Sequence, residues 1–420
     1  MPDPVPHPAK PARHASPQGV AGEPEPPKNR NVFFVGLLSF FGGISQDVFS
    51  PILPIYLTSV LGFDKAFIGI AEGIVAASAN LAKVVAGLFS DKFKKQKPII
   101  FVGYFLSFVG RPLLAFVSHG AAILGLRLLD GTGKGIKDPP KDVLIAGSAG
   151  SKTRGKSFGI ARMLDTLGSV AGPLILFGLL YFLKGSPRLY HYILLLAGVP
   201  LIITLIVLVT KVRENRVVPV APNAAPEAKP IGGLPRMYYV FLGIVILFTL
   251  GNSSDAFLVL RARNVGVSLL YVPLVIAIFN TVYALAAVPF GALSDKIGRT
   301  KTLLIGWAAY SLTYLGFALA HTPAIIWLMY AFYGIYYATS EGVAKAFLAD
   351  LVPPTHRGRA FGIYGTSIGL ATLPASFFAG FLWDKIGPAA PFVFGACVAL
   401  TAAIALLIFS KRLERARIVS

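Results

Sequence analysis

The sequence predicts an all-α membrane protein of twelve transmembrane helices in two pseudo-symmetric six-helix halves. Three observations carry that expectation. The 420-residue chain is 55% hydrophobic and only 14% charged, with mean hydropathy +0.68, whereas soluble domains carry about 25% charged residues. Its apolar runs recur at the roughly 20-residue length needed to cross the hydrocarbon layer. Three short motifs occur twice, in the same order, about 200 residues apart.

The runs, numbered as spans 1 to 12, lie near 32–58, 67–90, 98–118, 121–146, 157–183 and 190–210, then 238–261, 269–293, 300–320, 324–349, 359–383 and 389–410. Within a bilayer each span must satisfy its own backbone, so these are helices; nothing alternates as barrel strands do. Residues 1–30, rich in Pro, Ala and charge, are expected as a disordered cytoplasmic tail without the apolar core of a cleaved signal. Residues 31–210 form the first half, 211–237 a cytoplasmic linker, 238–411 the second half and 412–420 a second cytoplasmic tail.

The formal charge of +20 could point to nucleic acid. The excess, however, is spread through short loops. The tails and even-numbered loops hold 25 Lys and Arg residues and the odd-numbered loops six, which places both termini in the cytoplasm of a bacterial inner membrane. A lone cysteine, Cys397, excludes a disulfide framework and a Cys-based metal site. The histidines form no cluster, and Gly133-Lys134-Gly135 lacks the spacing of a phosphate-binding loop. Neither a metal, nor a cofactor, nor a nucleic-acid partner, nor enzymatic ATP chemistry is therefore expected. The expected partners are the lipid bilayer, a small-molecule substrate and protons, with the chain a monomer.

The internal repeat is specific. Gly43-Ile-Ser-Gln46-Asp47-Val-Phe49 in span 1 echoes Gly251-Asn252-Ser-Ser-Asp255-Ala-Phe257 in span 7. Gly87-Leu-Phe-Ser-Asp91-Lys92 after span 2 echoes Gly291-Ala-Leu-Ser-Asp295-Lys296 after span 8. Arg154-Gly-Lys-Ser-Phe-Gly-Ile echoes Arg357-Gly-Arg-Ala-Phe-Gly-Ile. Duplicated six-helix halves are a transporter design, with the substrate site between them near mid-membrane.

These residues resemble the major facilitator superfamily over about residues 30–410. The loop after span 8, with Gly291, Asp295, Lys296, Gly298, Arg299 and Lys301, is similar to the family pattern Gly-x-x-x-Asp-(Arg/Lys)-x-Gly-(Arg/Lys)-(Arg/Lys). The copy after span 2 keeps Gly87, Asp91 and Lys92 but has Lys94 in place of the inner glycine. The resemblance implies a cytoplasmic gating latch in which helix-end charges hold one of two rigid-body states. Arg127, Gly131 and Gly133 resemble the family's Arg-x-x-x-Gly-x-Gly signature, and Gly168-Ser-Val-Ala-Gly172-Pro173 is similar to the Gly-x-x-x-Gly-Pro motif of proton-coupled exporters. The same glycines also fit plain small-residue helix packing.

Charges inside spans are functional candidates. Span 4 carries Arg127, Asp130, Lys134, Lys137, Asp138, Lys141 and Asp142 within roughly 140° of helical arc. Arg127–Asp130 and Lys134–Asp138 have pairing distances along the helix, and Pro139-Pro140 is expected to kink it. Asp47 and Asp255 are candidate proton carriers. Further substrate or coupling candidates are Gln46, Glu72, Asn80, Lys83, Asp165, Asn252, Asn280, Glu341 and Lys345. Arg162–Asp165 reads as a structural pair, and Arg111, before Pro112, as a cation snorkelling at a span end. The leading functional expectation is a secondary transporter working by alternating access as a proton-coupled exporter of a small organic solute or drug. The alternatives are an organic-anion carrier, with Arg127 and Lys134 on a carboxylate or phosphate, and a non-transporting sensor or scaffold.

Overall fold

A computed structural model describes residues 30–93, 95–148, 154–214, 234–353 and 356–417. The expected N-terminal tail and most of the linker lie outside these residues. So do the side chains of Asp91, Lys92 and Asp295, together with the surroundings of Gly87.

Twelve helical rods run through the described residues. Spans 2, 4 and 5 are Lys65–Phe93, Gly120–Ser148 and Arg154–Phe182; spans 8 to 12 are Val272–Ile297, Arg299–Ala318, Pro323–Asp350, Arg357–Lys385 and Ala390–Arg415. Span 3 is Lys97–Leu113 with a final turn Leu114–Phe116. Span 1 divides into Arg30–Phe49 and Ile52–Ser59 at Pro51, and span 6 into Leu189–Leu196 and Val199–Thr210 before Pro200. Span 7, expected as one helix, is Arg236–Gly251 and Ala256–Asn264 with the backbone unwound between them. Among the described residues nine rods are long and apolar enough to cross a membrane by composition alone. Span 4 is not one of them, since it carries Arg127, Asp130, Lys134, Lys137, Asp138, Lys141 and Asp142. Pro139 and Pro140 do not end it: the helix runs through both.

Without a hydrophobic force between helices in lipid, small residues decide which backbones meet. Span 4 shows this locally. A Cβ on Gly131 would fall 2.0 Å from Ser78 Oγ and one on Gly135 2.1 Å from the Ala79 carbonyl, both on span 2. A Cβ on Gly133, on the opposite side, would meet the Gly103 carbonyl of span 3 at 2.5 Å. The glycines thus wedge span 4 between spans 2 and 3.

The halves meet through two related pairs, span 2 with span 11 and span 5 with span 8. Under the repeat, spans 2 and 5 correspond to spans 8 and 11, so the two contacts are pseudo-symmetric. Span 2 lies backbone to backbone on span 11: a Cβ on Gly69 would sit 2.0 Å from the Ser376 carbonyl, and one on Gly380 2.1 Å from the Lys65 carbonyl. At this end Asp384 accepts hydrogen bonds from the Lys65 and Ala66 amides at 2.8 and 3.0 Å, capping span 2. The molecule is therefore closed at the end carrying the odd-numbered loops.

A fourth repeated feature went unread in the sequence. Glu214, after span 6, accepts hydrogen bonds from the Gln96 and Lys97 amides at 2.6 and 2.9 Å, capping span 3. Glu414, at the end of span 12, accepts from the Thr300 amide at 3.3 Å and the Thr300 hydroxyl at 2.6 Å, capping span 9. Each half thus ties its last span to the start of its third.

Gly69→Val would force the 2–11 backbones apart. Overpacking of a close contact costs about 1–3 kcal/mol, so the variant is expected to melt several degrees lower in detergent. A Val at Gly125, where a Cβ meets nothing within 4 Å, is the control and should leave the midpoint near wild type.

Candidate functional site

The interior of the first half is built on Asp130, which is wholly buried. Its Oδ1 accepts from Arg111 Nε at 2.9 Å, and its Oδ2 lies 3.4 Å from both Arg127 Nη1 and Lys134 Nζ. Arg111 also donates to Ser45 Oγ and Gln46 Oε1, each at 2.8 Å, tying span 3 to span 1. Arg127 donates to Glu72 of span 2. Both guanidinium groups lie near the Phe49 ring, 5.6 and 5.5 Å from its centroid.

Three sequence expectations change here. Arg111 does not snorkel: it is 1% exposed and fully hydrogen-bonded in the half's centre. Counted back from the 3–4 loop, Arg111 lies level with Arg127 counted forward, and that depth match is the signal that could have found it. Lys134 pairs with Asp130 rather than Asp138, which instead meets Lys141 at 3.3 Å and Lys83 at 3.6 Å. Arg127, only 2% exposed, does not reach the cavity.

Below this sealed cluster, span 4 opens onto a cavity of about 790 Å³. Side-chain exposure along the span is 0% at Asp130, 22% at Lys134 and 41% at Asp138, with Lys141 at 12% and Asp142 exposed. The cavity is therefore wetter toward the end carrying the even-numbered loops. Asp47 lines it and packs on span 5, where a Cβ on Gly172 would fall 2.7 Å from the Asp47 Cβ. Gly168 packs likewise on the Phe40 carbonyl. The Gly168–Gly172–Pro173 motif thus seats span 1 on span 5 and brings Asp47 to the wall. Asp47 makes no ion pair among the described residues.

The cavity wall carries seven cations (Lys83, Arg111, Lys134, Lys137, Lys141, Arg162 and Lys345) against five carboxylates (Asp47, Asp138, Asp142, Asp165 and Glu341). Adding the sealed Arg127, Asp130 and Glu72 still leaves one cation over. Lys137 stands out: its ammonium lies 4.7 Å from the Tyr104 ring centroid, and it has no carboxylate within ion-pair distance among the described residues.

A polar chain links the halves across the cavity. Asp165 pairs with Arg162 at 3.3 Å, Arg162 Nη2 donates to the Tyr283 hydroxyl at 3.2 Å, and that hydroxyl donates to Glu341 at 3.1 Å. Glu341 pairs with Lys345 at 2.9 Å. Asn280 of span 8 donates to the Ser169 carbonyl of span 5 at 2.7 Å. Asn80 packs against Gly369 of span 11.

The second half differs. Asp255 begins the helix Ala256–Asn264, and its Oδ1 accepts from the Tyr333 hydroxyl at 2.7 Å. Asn252 donates to the Tyr336 hydroxyl at 3.3 Å and accepts from Tyr310 at 3.3 Å. Asp47 and Asp255 are equivalent in the repeat but not in structure, since span 1 stays helical where span 7 unwinds. At the even-loop end, Arg299 donates to Ser294 Oγ and lies 3.7 Å from Asp350, which also receives Arg417 at 2.9 Å. Lys296 is exposed, and a Cβ at Gly291 would meet nothing. The described part of the latch therefore ties span 9 to span 10 within one half.

Two six-helix halves around a charged central cavity define a polytopic membrane transporter. The Major Facilitator Superfamily profile matches residues 35–260 and 240–419, and the chain belongs to that family. It is 35% identical over 385 residues to an uncharacterized MFS-type transporter of Methanocaldococcus jannaschii, covering 90% of this chain and 94% of the relative. It is 25% identical over 334 residues to the multi-drug resistance efflux pump PmrA of Streptococcus pneumoniae, covering 77% and 82%. Among solved structures it is similar to a bacterial homologue of the human lysosomal transporter Spinster in an inward-facing, unoccupied conformation, with TM-score 0.73 at 14% identity over 94% of this chain and 99% of that one.

Neutralising the buried carboxylate removes the counter-charge shared by Arg111, Arg127 and Lys134, leaving only Arg127 with another, Glu72. Breaking a buried ion pair costs about 3–5 kcal/mol, so Asp130→Asn is expected to unfold at a markedly lower temperature. Adding Arg111→Met should recover part of the loss, as read by thermal melting of the purified double variant. A single variant as stable as wild type would show that Asp130 does not hold the half together.

Proposed function

We propose that this protein is a secondary transporter that works by alternating access, binds a small organic anion bearing a carboxylate or phosphate, and couples its movement to protons. The observation that carries the reading is the cationic surplus of the cavity wall, with Lys137 lacking a carboxylate partner among the described residues. An anionic group entering from water would complete that site, and charge-assisted bonds to such oxygens are among the stronger polar contacts. The positive-inside bias places both termini in the cytoplasm of an inner membrane. The wetter end of the cavity then faces the cytoplasm, with the closed 2–11 contact outside. Asp47 is the proton carrier in this reading: it lines the same cavity and has no cation within ion-pair distance among the described residues.

The efflux of a drug-like solute keeps one specific support, the similarity to PmrA. The helix-packing role of Gly168 and Gly172 removes the need for an exporter explanation of that motif.

In proteoliposomes holding a pH-sensitive dye, an organic carboxylate or phosphomonoester is expected to trigger proton flux. Lys137→Gln should weaken the apparent affinity about tenfold. Asp47→Asn should abolish the flux while leaving exchange of a preloaded labelled anion. Flux triggered by organic cations, unchanged in Lys137→Gln, would replace this reading with efflux.

A further inference from the structure

We propose that the substrate is a zwitterion, with an ammonium group at the end opposite its anionic head, and that Asp255 and the tyrosines around it receive the ammonium. This rests on the anion reading above and adds the other end of the molecule.

A second lobe of about 670 Å³ continues the cavity into the second half. Gln46, Lys83, Glu341 and Lys345 line both lobes, so the two form one space with two chemistries. The first lobe has a surplus of cations. The second has three carboxylates, Glu72, Asp255 and Glu341, against Lys83 and Lys345. Two of the three are taken, Glu72 by Arg127 and Glu341 by Lys345. Asp255 faces no Lys or Arg within ion-pair distance among the described residues; its carboxylate accepts a hydrogen bond from the neutral Tyr333 hydroxyl.

The walls beside Asp255 are aromatic. Phe248 stacks on Trp307 with centroids 4.5 Å apart, and Tyr333 packs against Tyr337 at 5.2 Å; Phe248, Trp307, Tyr336 and Tyr337 line the lobe. Asp255 is exposed to the lobe beside these rings, with no counter-charge of its own among the described residues. An ammonium group supplies the missing charge and gains from the ring faces as well. Lys137 in the first lobe and Asp255 in the second are thus unmatched charges of opposite sign, Asp47 being kept for the proton, and one molecule carrying both charges satisfies both.

Titration calorimetry on the purified full-length protein in sodium-free buffer tests this with linear alkyl phosphates and their ω-aminoalkyl counterparts of two to eight carbons. At one or more lengths the aminoalkyl phosphate should bind at least about tenfold more tightly than the alkyl phosphate. Asp255→Asn should remove that difference and leave alkyl phosphate binding intact; Asp255→Glu, which keeps the charge, should retain part of it. Equal binding of the two series at every length, with both weakened by Lys137→Gln, overturns the zwitterion and keeps the anion reading. Equal binding that added Na⁺ tightens only when Asp255 is present assigns that carboxylate to an inorganic cation and also overturns it. Failure of both series to bind overturns both readings.

Discussion

The first half depends on one buried carboxylate. Three cations from spans 3 and 4 converge on Asp130, and two of them reach onward to Ser45, Gln46 and Glu72 on spans 1 and 2. In lipid, apolar side chains are as well solvated outside the bundle as within it, so helix association needs close backbone packing and polar bonds. Here the glycines of span 4 supply the first and Asp130 the second. Each charge in the cluster would be expensive alone; together they bind four spans into one body. The cluster also fixes which cations remain for function: Arg127 and Arg111 are committed to the interior, and span 4 begins to present unmatched charge only beyond Lys134.

The second half reaches the same rigidity by other means. Tyr310, Tyr314, Tyr333 and Tyr336 pack ring on ring, with centroids between 4.1 and 6.4 Å apart. Their hydroxyls satisfy the backbone and side chains of the unwound stretch: Tyr310 donates to the Gly251 carbonyl at 3.0 Å. Unwound backbone is tolerated at membrane depth only where protein or a cavity satisfies it, and the tyrosines do so here. A duplicated sequence thus carries an ionic interior in one half and an aromatic one in the other.

Much of this was legible in the sequence, because the bilayer makes its demands locally. Every span was placed within a few residues, since length and apolarity are properties of contiguous residues. The Arg127–Asp130 and Glu341–Lys345 pairs were visible because they lie on one helix at i,i+3 and i,i+4. The elements that were missed all need a partner distant in the chain. Arg111 looked like a snorkelling cation until Asp130, Ser45 and Gln46 were brought around it. The break in span 7 has no proline to announce it, and the tyrosines that hold it open come from spans 9 and 10. The caps by Glu214 and Glu414 join helix ends more than a hundred residues apart, although Lys211-x-x-Glu214 and Lys411-x-x-Glu414 repeat in the sequence.

Spans 2 with 11 and 5 with 8 join the halves, and what would shift them in the proposed alternating access follows from where the bonds lie. The odd-loop end is held by glycine contacts and by two amide hydrogen bonds to Asp384, each worth about 1.5–3 kcal/mol at most when the acceptor is charged. Such a clasp is strong enough to define a state and weak enough to release. The opposite side is crossed by the Arg162–Tyr283–Glu341 chain, in which Arg162 and Glu341 are exposed and Tyr283 is half-buried. A ligand that touched only the first half would bind both states alike and shift nothing, however tightly it was held. One that engages unmatched charge in both halves interacts more strongly when they approach, and only such a difference can drive the cavity closed. A cationic lobe walled mainly by the first half, and an aromatic lobe between the halves that carries Asp255 of the second, are therefore what would turn binding into movement.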